Sequence, residues 1–277
     1  MQNKNNEQPN KTSAENFIEY IDLINYQLRE PVTNIFASLP LLAENINNLD
    51  TEKAIDNLHA IYKRTYSIIK SVNNMSVVSK LESGYEFKKE IINFSQFLKN
   101  MFSSAQVVLP EYFSAELNID NDCIICGNHS LLSVGLLNIL VNSFDYRKED
   151  DVKVSITLKN EGKRCVLTYR DNSIGIKPEV IQGVYDLFYS KNPYNDDEIT
   201  NRMGMGLYLA KQAVAHAKGT ILMQSEFGSG VNIVISVPYS SDLNADTFKS
   251  SSGEYLLNKY SDMFVQLCEY CNLPDLT

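Results

Sequence analysis

Two stretches with apolar residues at steps of three and four constrain this chain more than any other feature. Phe17, Ile21, Ile24, Leu28, Val32, Ile35, Leu39, Leu42 and Ile46 form the first, and Ile55, Leu58, Tyr62, Thr65, Ile69, Val72, Met75 and Leu81 the second. Such spacing returns each residue to one face of an α-helix, so both stretches read as long amphipathic helices with a heptad-like seam. Thr12 and Glu15 make a capping-box pair at the first helix start, and Pro31 predicts a kink in its middle because proline lacks a backbone donor. Asn47 to Asp50 separates the two helices. A hairpin of two such helices cannot cover both seams alone. Pairing two hairpins into a four-helix bundle is the simplest cover, and a homodimer is expected.

The texture changes after Ser83-Gly84. Strand-like runs at 86–94, 113–119, 152–158, 163–170, 220–226 and 231–237 alternate with helical patterns at 95–106, 130–144 and 205–217. Strands mixed with helices predict an α+β layer. Beyond Pro238 lies a Ser-rich linker, then a second capping box at Ser251 and Glu254. A helix from about Ser251 to Cys271 would place Leu256, Tyr260, Met263, Leu267 and Tyr270 on one face, which predicts packing on its own second domain or on a partner. The expected organisation is therefore a flexible N-terminus at 1–13, a helical hairpin at 14–84, an α+β domain at 85–239, and a linker with a C-terminal helix at 240–277. A length of 277 residues suits two domains.

A hydrophobic content of 44% with 21% charged residues can bury a core. The formal charge of −9 opposes binding to nucleic acid backbones and anionic lipid surfaces. No apolar run approaches the roughly 18 residues that a membrane span needs, and Met1 to Lys11 is polar, so a cytoplasmic location is expected. The pairs Cys123/Cys126 and Cys268/Cys271 have C-x-x-C spacing, but neither has a Gly or Pro turn to wrap a metal; reduced structural thiols are the favoured reading over zinc.

Four segments of the second domain occur in a telling order. Asn138 to Tyr146 resembles the N box of histidine kinases and their ATPase relatives, Asp171 to Ile176 the first glycine box, Tyr185 to Phe188 the F box, and Gly204 to Lys211 the second glycine box. Gly219 and the Ser225 to Gly230 turn resemble the closing hairpin of that fold. Gln27 to Thr33 and Lys80 to Gly84 resemble the flanks of a phosphoacceptor hairpin. The chain thus resembles the core of a bacterial sensor histidine kinase from about Phe17 to Pro238. The resemblance implies a dimeric four-helix bundle followed by an ATPase-type α/β sandwich with a mixed sheet; the C-terminal helix lies outside it.

It also implies ATP and magnesium as cofactors, with Asn138, Asn142, Asp145, Asp171, Gly175, Arg202, Gly204 and Gly206 at the nucleotide. Asp171 would accept from the adenine amino group, Gly175 would let the backbone approach the base, and Gly204 and Gly206 would turn a helix start toward the phosphates. Asn142 matches the magnesium-binding asparagine, against the alternative of a solvated helical Asn. Asp145 stands where a phosphate-contacting lysine is typical; it either opposes phosphate, by on the order of 2–3 kcal/mol at about 6 Å before ionic screening, or ligates magnesium itself. Ser173 and Met203 stand where smaller residues are usual, and Asp196, Asp197 and Glu198 make the intervening lid acidic.

The hairpin departs further. Tyr26 takes the histidine position, Gln27 replaces the neighbouring acid, and Glu30 replaces the Thr or Asn associated with phosphatase action. A phenol with a pKa near 10 needs a base, which a neutral amide cannot supply. His59, His129 and His216 read as structural or surface residues. The expectation is a pseudokinase: a dimeric binding module for a response regulator or another kinase. The alternative is an active kinase for a separate protein, using the fold as serine kinases of the same build do.

Overall fold

The computed structural model describes residues 13–189, 204–241, 247–248, 256 and 258–271; for residues 13–23, 26, 27, 247 and 248 it describes the backbone alone. The capping residue Thr12 and most of the expected flexible N-terminus lie outside these residues.

Helix α1 (Ser13–Asn47) runs continuously through Pro31 and Pro40, and α2 (Thr51–Glu82) returns beside it. Asp50 starts α2, its carboxylate accepting from the backbone N–H of Lys53 at 3.2 Å, which satisfies one of the donors a helix start leaves open. The hairpin leaves much of its seam uncovered: Val32, Leu39, Ile46, Ile55, Tyr62 and Val72 stay exposed, and Phe36 is 68% exposed. Among the described residues no helix is long and apolar enough to cross a membrane.

The second region carries β1 (Glu90–Asn93), α3 (Phe94–Val108), β2 (Phe113–Ile119), β3 (Ile124–Gly127) and α4 (His129–Asp145). It continues with β4 (Val152–Asn160), β5 (Arg164–Asp171), the short α5 (Pro178–Ile181), α6 (Gly206–His216), β6 (Thr220–Ser225) and β7 (Val231–Pro238). The strand expected at 86–94 is shorter, because Asn93 caps α3 by accepting from Gln96 N at 2.9 Å and so ends the extended run. Strands β2-β4-β5-β7-β6 form a five-stranded sheet in that order, with β2 parallel to β4 and the other pairs antiparallel. A smaller sheet joins β3, β1 and β8 (Thr247–Phe248). The α+β class with a mixed sheet is as expected.

Alternation explains the layering. Val152, Val154, Ile156 and Leu158 of β4, Cys165, Leu167 and Tyr169 of β5, and Ile233, Ile235 and Val237 of β7 are buried, while their neighbours face outward. Helices α3, α4 and α6 cover that face, with Leu98, Met101, Leu137, Leu140 and Ala213 in the same cluster. A Cβ on Gly135 would meet Ala210 Cα at 3.0 Å, so its absence lets α4 and α6 pack closely. This pairing sets the N-box helix against the helix of the second glycine box.

The C-terminal segment departs from the expected long helix. Only α7 (Asp262–Gln266) is helical among its contiguous described residues 258–271. Asn258 Oδ1 accepts from Tyr260 N at 2.9 Å, and Ser261 has extended backbone angles, so a turn breaks any helix arriving from upstream. Consequently Tyr260 is 66% exposed, whereas Met263, Phe264, Leu267, Cys268 and Cys271 are buried in the main core beside Tyr66 of α2 and Phe144 of α4. The segment therefore packs on its own chain, wedged between hairpin and sheet domain.

Candidate functional site

A cavity of about 390 Å³ lies between α2 and the sheet domain, and Asn138, Asn142, Asp145, Asp171, Gly175, Gly204 and Gly206 all line it. Seven of the eight nucleotide candidates are thus brought together. Arg202 and Met203, with the acidic lid residues Asp196, Asp197 and Glu198, lie outside the described residues.

Asp171 ends β5 and is fixed by three donors. Its Oδ1 accepts from the backbone N–H groups of Ser173 at 3.1 Å and Val231 at 3.0 Å, and its Oδ2 accepts from Ser143 Oγ at 2.6 Å. Ser143 Oγ also contacts the Tyr169 hydroxyl at 2.6 Å. A serine has one proton, and Ser143 gives it to the carboxylate, so Tyr169 donates to Ser143. Burial, and then the charge of Asp171, push the Tyr169 phenol well above its usual range, which keeps that proton in place. Two acceptor positions on Oδ1 and one on Oδ2 are filled; one on Oδ2 remains, enough for an exocyclic amine. The residues present therefore fit an adenine.

Gly175 has φ +72°, and a Cβ there would run into the carbonyl oxygen of Glu226. Only glycine suits that turn. Ser225 Oγ accepts from Ile176 N at 2.8 Å and donates to Gly230 O at 2.7 Å, tying the first glycine box to the closing hairpin. Ser173 fits without opening this loop, for its hydroxyl accepts from Gly175 N at 3.4 Å. Gly204 has φ +59° and its carbonyl accepts from Phe188 N at 3.1 Å, so the two ends of the lid segment are joined.

Along α4 the positions 138, 142 and 145 share one face. Asn138 is buried and its amide donates to Val134 O at 2.9 Å. Asn142 is half-buried against the cavity, a placement that suits a hard cation shared with phosphates. Asp145 accepts from the Tyr270 hydroxyl of the C-terminal segment, whose ring stacks on Phe144 with centroids 4.7 Å apart. This contact is one that sequence reasoning missed, since the residues are 125 positions apart.

The hairpin closes the cavity from the other side. Glu30 and Pro31 of α1 and a polar stripe on α2 line it, and Glu269 adds a carboxylate from the C-terminal segment. Tyr26 and Gln27 lie in α1 one turn before Glu30. Below the cavity, Val78 of α2 packs with Val134, Met205, Tyr208 and Leu209, and the Tyr208 hydroxyl donates to Glu82. The three histidines sit apart from the nucleotide boxes' lining: His129 packs edge-on against Phe97 at 5.0 Å, His216 Nε2 lies 3.0 Å from Phe87 O, and His59 is on α2.

Residues 127–241 match the family described as histidine kinase-, DNA gyrase B-, and HSP90-like ATPase. The sensor histidine kinase WalK of Bacillus subtilis is 26% identical over 232 residues, spanning 82% of this chain and 38% of WalK. Residues 127–241 form a histidine-kinase-like ATPase domain. A second relative, the CAI-1 autoinducer sensor kinase/phosphatase CqsS of Vibrio cholerae, is 26% identical over 79% of this chain and 33% of its own length. The chain thus spans about a third of the length of these curated relatives. Its fold matches the Acinetobacter baumannii histidine kinase AdeS with a TM-score of 0.56 at 15% identity, over 78% of this chain and 98% of AdeS. The ATPase domain supplies the part of the cavity around Asp171, and the hairpin and the C-terminal segment supply the rest.

Proposed function

We propose that this chain is a histidine-kinase-like two-component signalling protein that binds Mg-ATP but transfers no phosphate to its own hairpin, and acts as a dimeric regulatory module on a response regulator or another kinase. The observation that carries the reading is the reach of the cavity. It runs from Asp171 and Gly175 to Glu30 and Pro31, so the turn of α1 that closes it follows Tyr26-Gln27. A nucleotide seated on Asp171 would face a stretch of α1 with tyrosine in place of the imidazole at position 26 and an amide in place of the adjoining acid at position 27. ATP would take its amino group to Asp171 Oδ2, its base past Gly175, and its phosphates toward Gly204 and Gly206, while Asn142 would hold magnesium. The exposed seam residues, Val32 and Leu39 among them, with the exposed Phe36 beside them, support pairing through a second hairpin.

Calorimetry with Mg-ATP, followed by an assay for acid-labile phosphate from labelled ATP, tests this directly. The expected result is saturable binding with no labelling, for the parent chain and for Tyr26→His alike. Restoring the nucleophile alone leaves Gln27 without the role of a base, and loss of a general base costs about a hundred- to ten-thousand-fold. Robust labelling of Tyr26→His would show that the acceptor alone was lost. Labelling of a separate purified protein at serine would favour the kinase alternative.

A further inference from the structure

Between α2 and α4 two polar stripes face one another across the cavity. On α4 the stripe is Asn138, Asn142 and Asp145; on α2 it is Arg64, Ser67, Lys70, Ser71 and Asn74. The α2 positions repeat at steps of three and four, so they share one face of the helix. Their chemistry is unlike that of α4. Two cations, two hydroxyls and an amide can all donate hydrogen bonds, whereas the N-box helix brings a carboxylate to the position where a cation is typical. Arg64 and Lys70 have no ion-pair partner among the described residues, and the three salt bridges described lie elsewhere, at Asp50, Asp120 and Asp151. Arg64 is exposed and Lys70 half-buried, so both cations keep access to the opening of the cavity.

The other charges lining the space are already committed or lie across it. Asp171 holds Ser143 and two backbone N–H groups, and Asp145 accepts from Tyr270. Lys177 lies over the Phe227 ring, 5.9 Å from its centroid, on the side of the first glycine box. Glu30 and Glu269 are the remaining carboxylates, and a magnesium ion on the phosphates would moderate their repulsion. We infer that Arg64 and Lys70, on the second hairpin helix, bind the polyphosphate of the nucleotide and supply the positive charge that the N-box helix lacks. The ligand class is a nucleoside di- or triphosphate with its divalent cation. The assignment rests on the nucleotide reading of the cavity and adds a requirement to it: the hairpin is part of the binding site.

The test compares ATP, ADP and adenosine, each with Mg²⁺, by calorimetry on the full chain and on Arg64→Gln, Lys70→Gln and the double variant. Loss of one unit charge about 6 Å from a phosphate is worth about tenfold in affinity after ionic screening. Each single variant is therefore expected to bind ATP about tenfold more weakly, the double variant about a hundredfold, with adenosine affinity unchanged. Arg64→Lys and Lys70→Arg keep the charge and should stay within about threefold of the parent. Circular dichroism checks that each variant is folded; should one fail, raising the salt on the parent chain must still weaken ATP far more than adenosine. Folded Gln variants that bind ATP as tightly as the parent overturn the assignment while leaving the nucleotide reading intact. A parent chain that binds neither ATP nor adenosine overturns both.

Discussion

The Tyr270 hydroxyl donates a hydrogen bond to Asp145, joining the C-terminal segment to the last turn of the N-box helix. Tyr270 also stacks on Phe144, at an interplanar angle of 28°, so ring and hydroxyl hold the same turn. A carboxylate that looked in sequence like an obstacle to phosphate is thereby also a fixing point for the segment. Phe144→Ala would disturb the whole core, and Tyr270 is the better probe. Tyr270→Phe keeps the stack and removes the bond, and should destabilise the chain by about 1–2 kcal/mol. Tyr270→Ala also forfeits aromatic burial and should cost about 3–4 kcal/mol. Urea unfolding measures both; equal midpoints for Tyr270→Phe and the parent would show that the bond contributes nothing.

A second link runs from hairpin to segment. Gln266 Nε2 donates to Asn74 Oδ1 at 2.8 Å, and both side chains are buried. Replacing either one by leucine strands the other amide, which costs about 1–3 kcal/mol, whereas replacing both removes the polar pair altogether. The double variant should therefore lose less stability than the two singles added together, with a coupling of about 1 kcal/mol or more. Strict additivity in the cycle would count against this bond.

The segment also carries two thiols whose titration reports its docking. Burial pushes Cys268 up to about 12 and Cys271 up to about 11, against an ordinary thiol value of 9.0. Above pH 9 the unfolded chain then holds fewer protons than the folded one, so stability is complete below about pH 9 and falls as pH rises toward 11–12. Thermal melts from pH 8 to 10.5 should show a steeper decline for the parent than for Cys268→Ala/Cys271→Ala. At pH 8 both thiols should resist alkylation in the folded chain and react once denaturant releases them. Prompt labelling of both in the native state would contradict the packing.

Pairing of two chains through the hairpin is the expected assembly. With Phe36, Leu39, Leu41 and Ile46 exposed on α1 and Ile55 and Val72 on α2, light scattering should give a mass twice the 31.4 kDa of one chain. Phe36→Glu with Leu39→Glu should shift the population toward monomer, because each buried charge would lack a partner. A parent chain that is monomeric at high concentration removes the basis for pairing.

Much of this protein was legible before any coordinates. Apolar steps of three and four gave the two hairpin helices to within a few residues, and short strand-like runs gave β2, β4, β5 and β7, because helix and strand periods are properties of local backbone geometry. The boxes around Asn142, Asp171, Gly175 and Gly204 came from the resemblance to a family's ordered motifs and not from periodicity; all four residues line one cavity. The long C-terminal helix was misjudged. A sound apolar spacing at Leu256, Tyr260, Met263 and Leu267 coexists with a turn at Asn258–Ser261, where an Asn side chain competes for the backbone donor. What the tertiary structure alone decided is which distant surfaces meet. Tyr270 reaches Asp145, Gln266 reaches Asn74, and Arg64 and Lys70 line the same cavity as Asp171. None of these pairings leaves a periodic trace in sequence, because each depends on how the hairpin, the sheet domain and the segment bury one shared core.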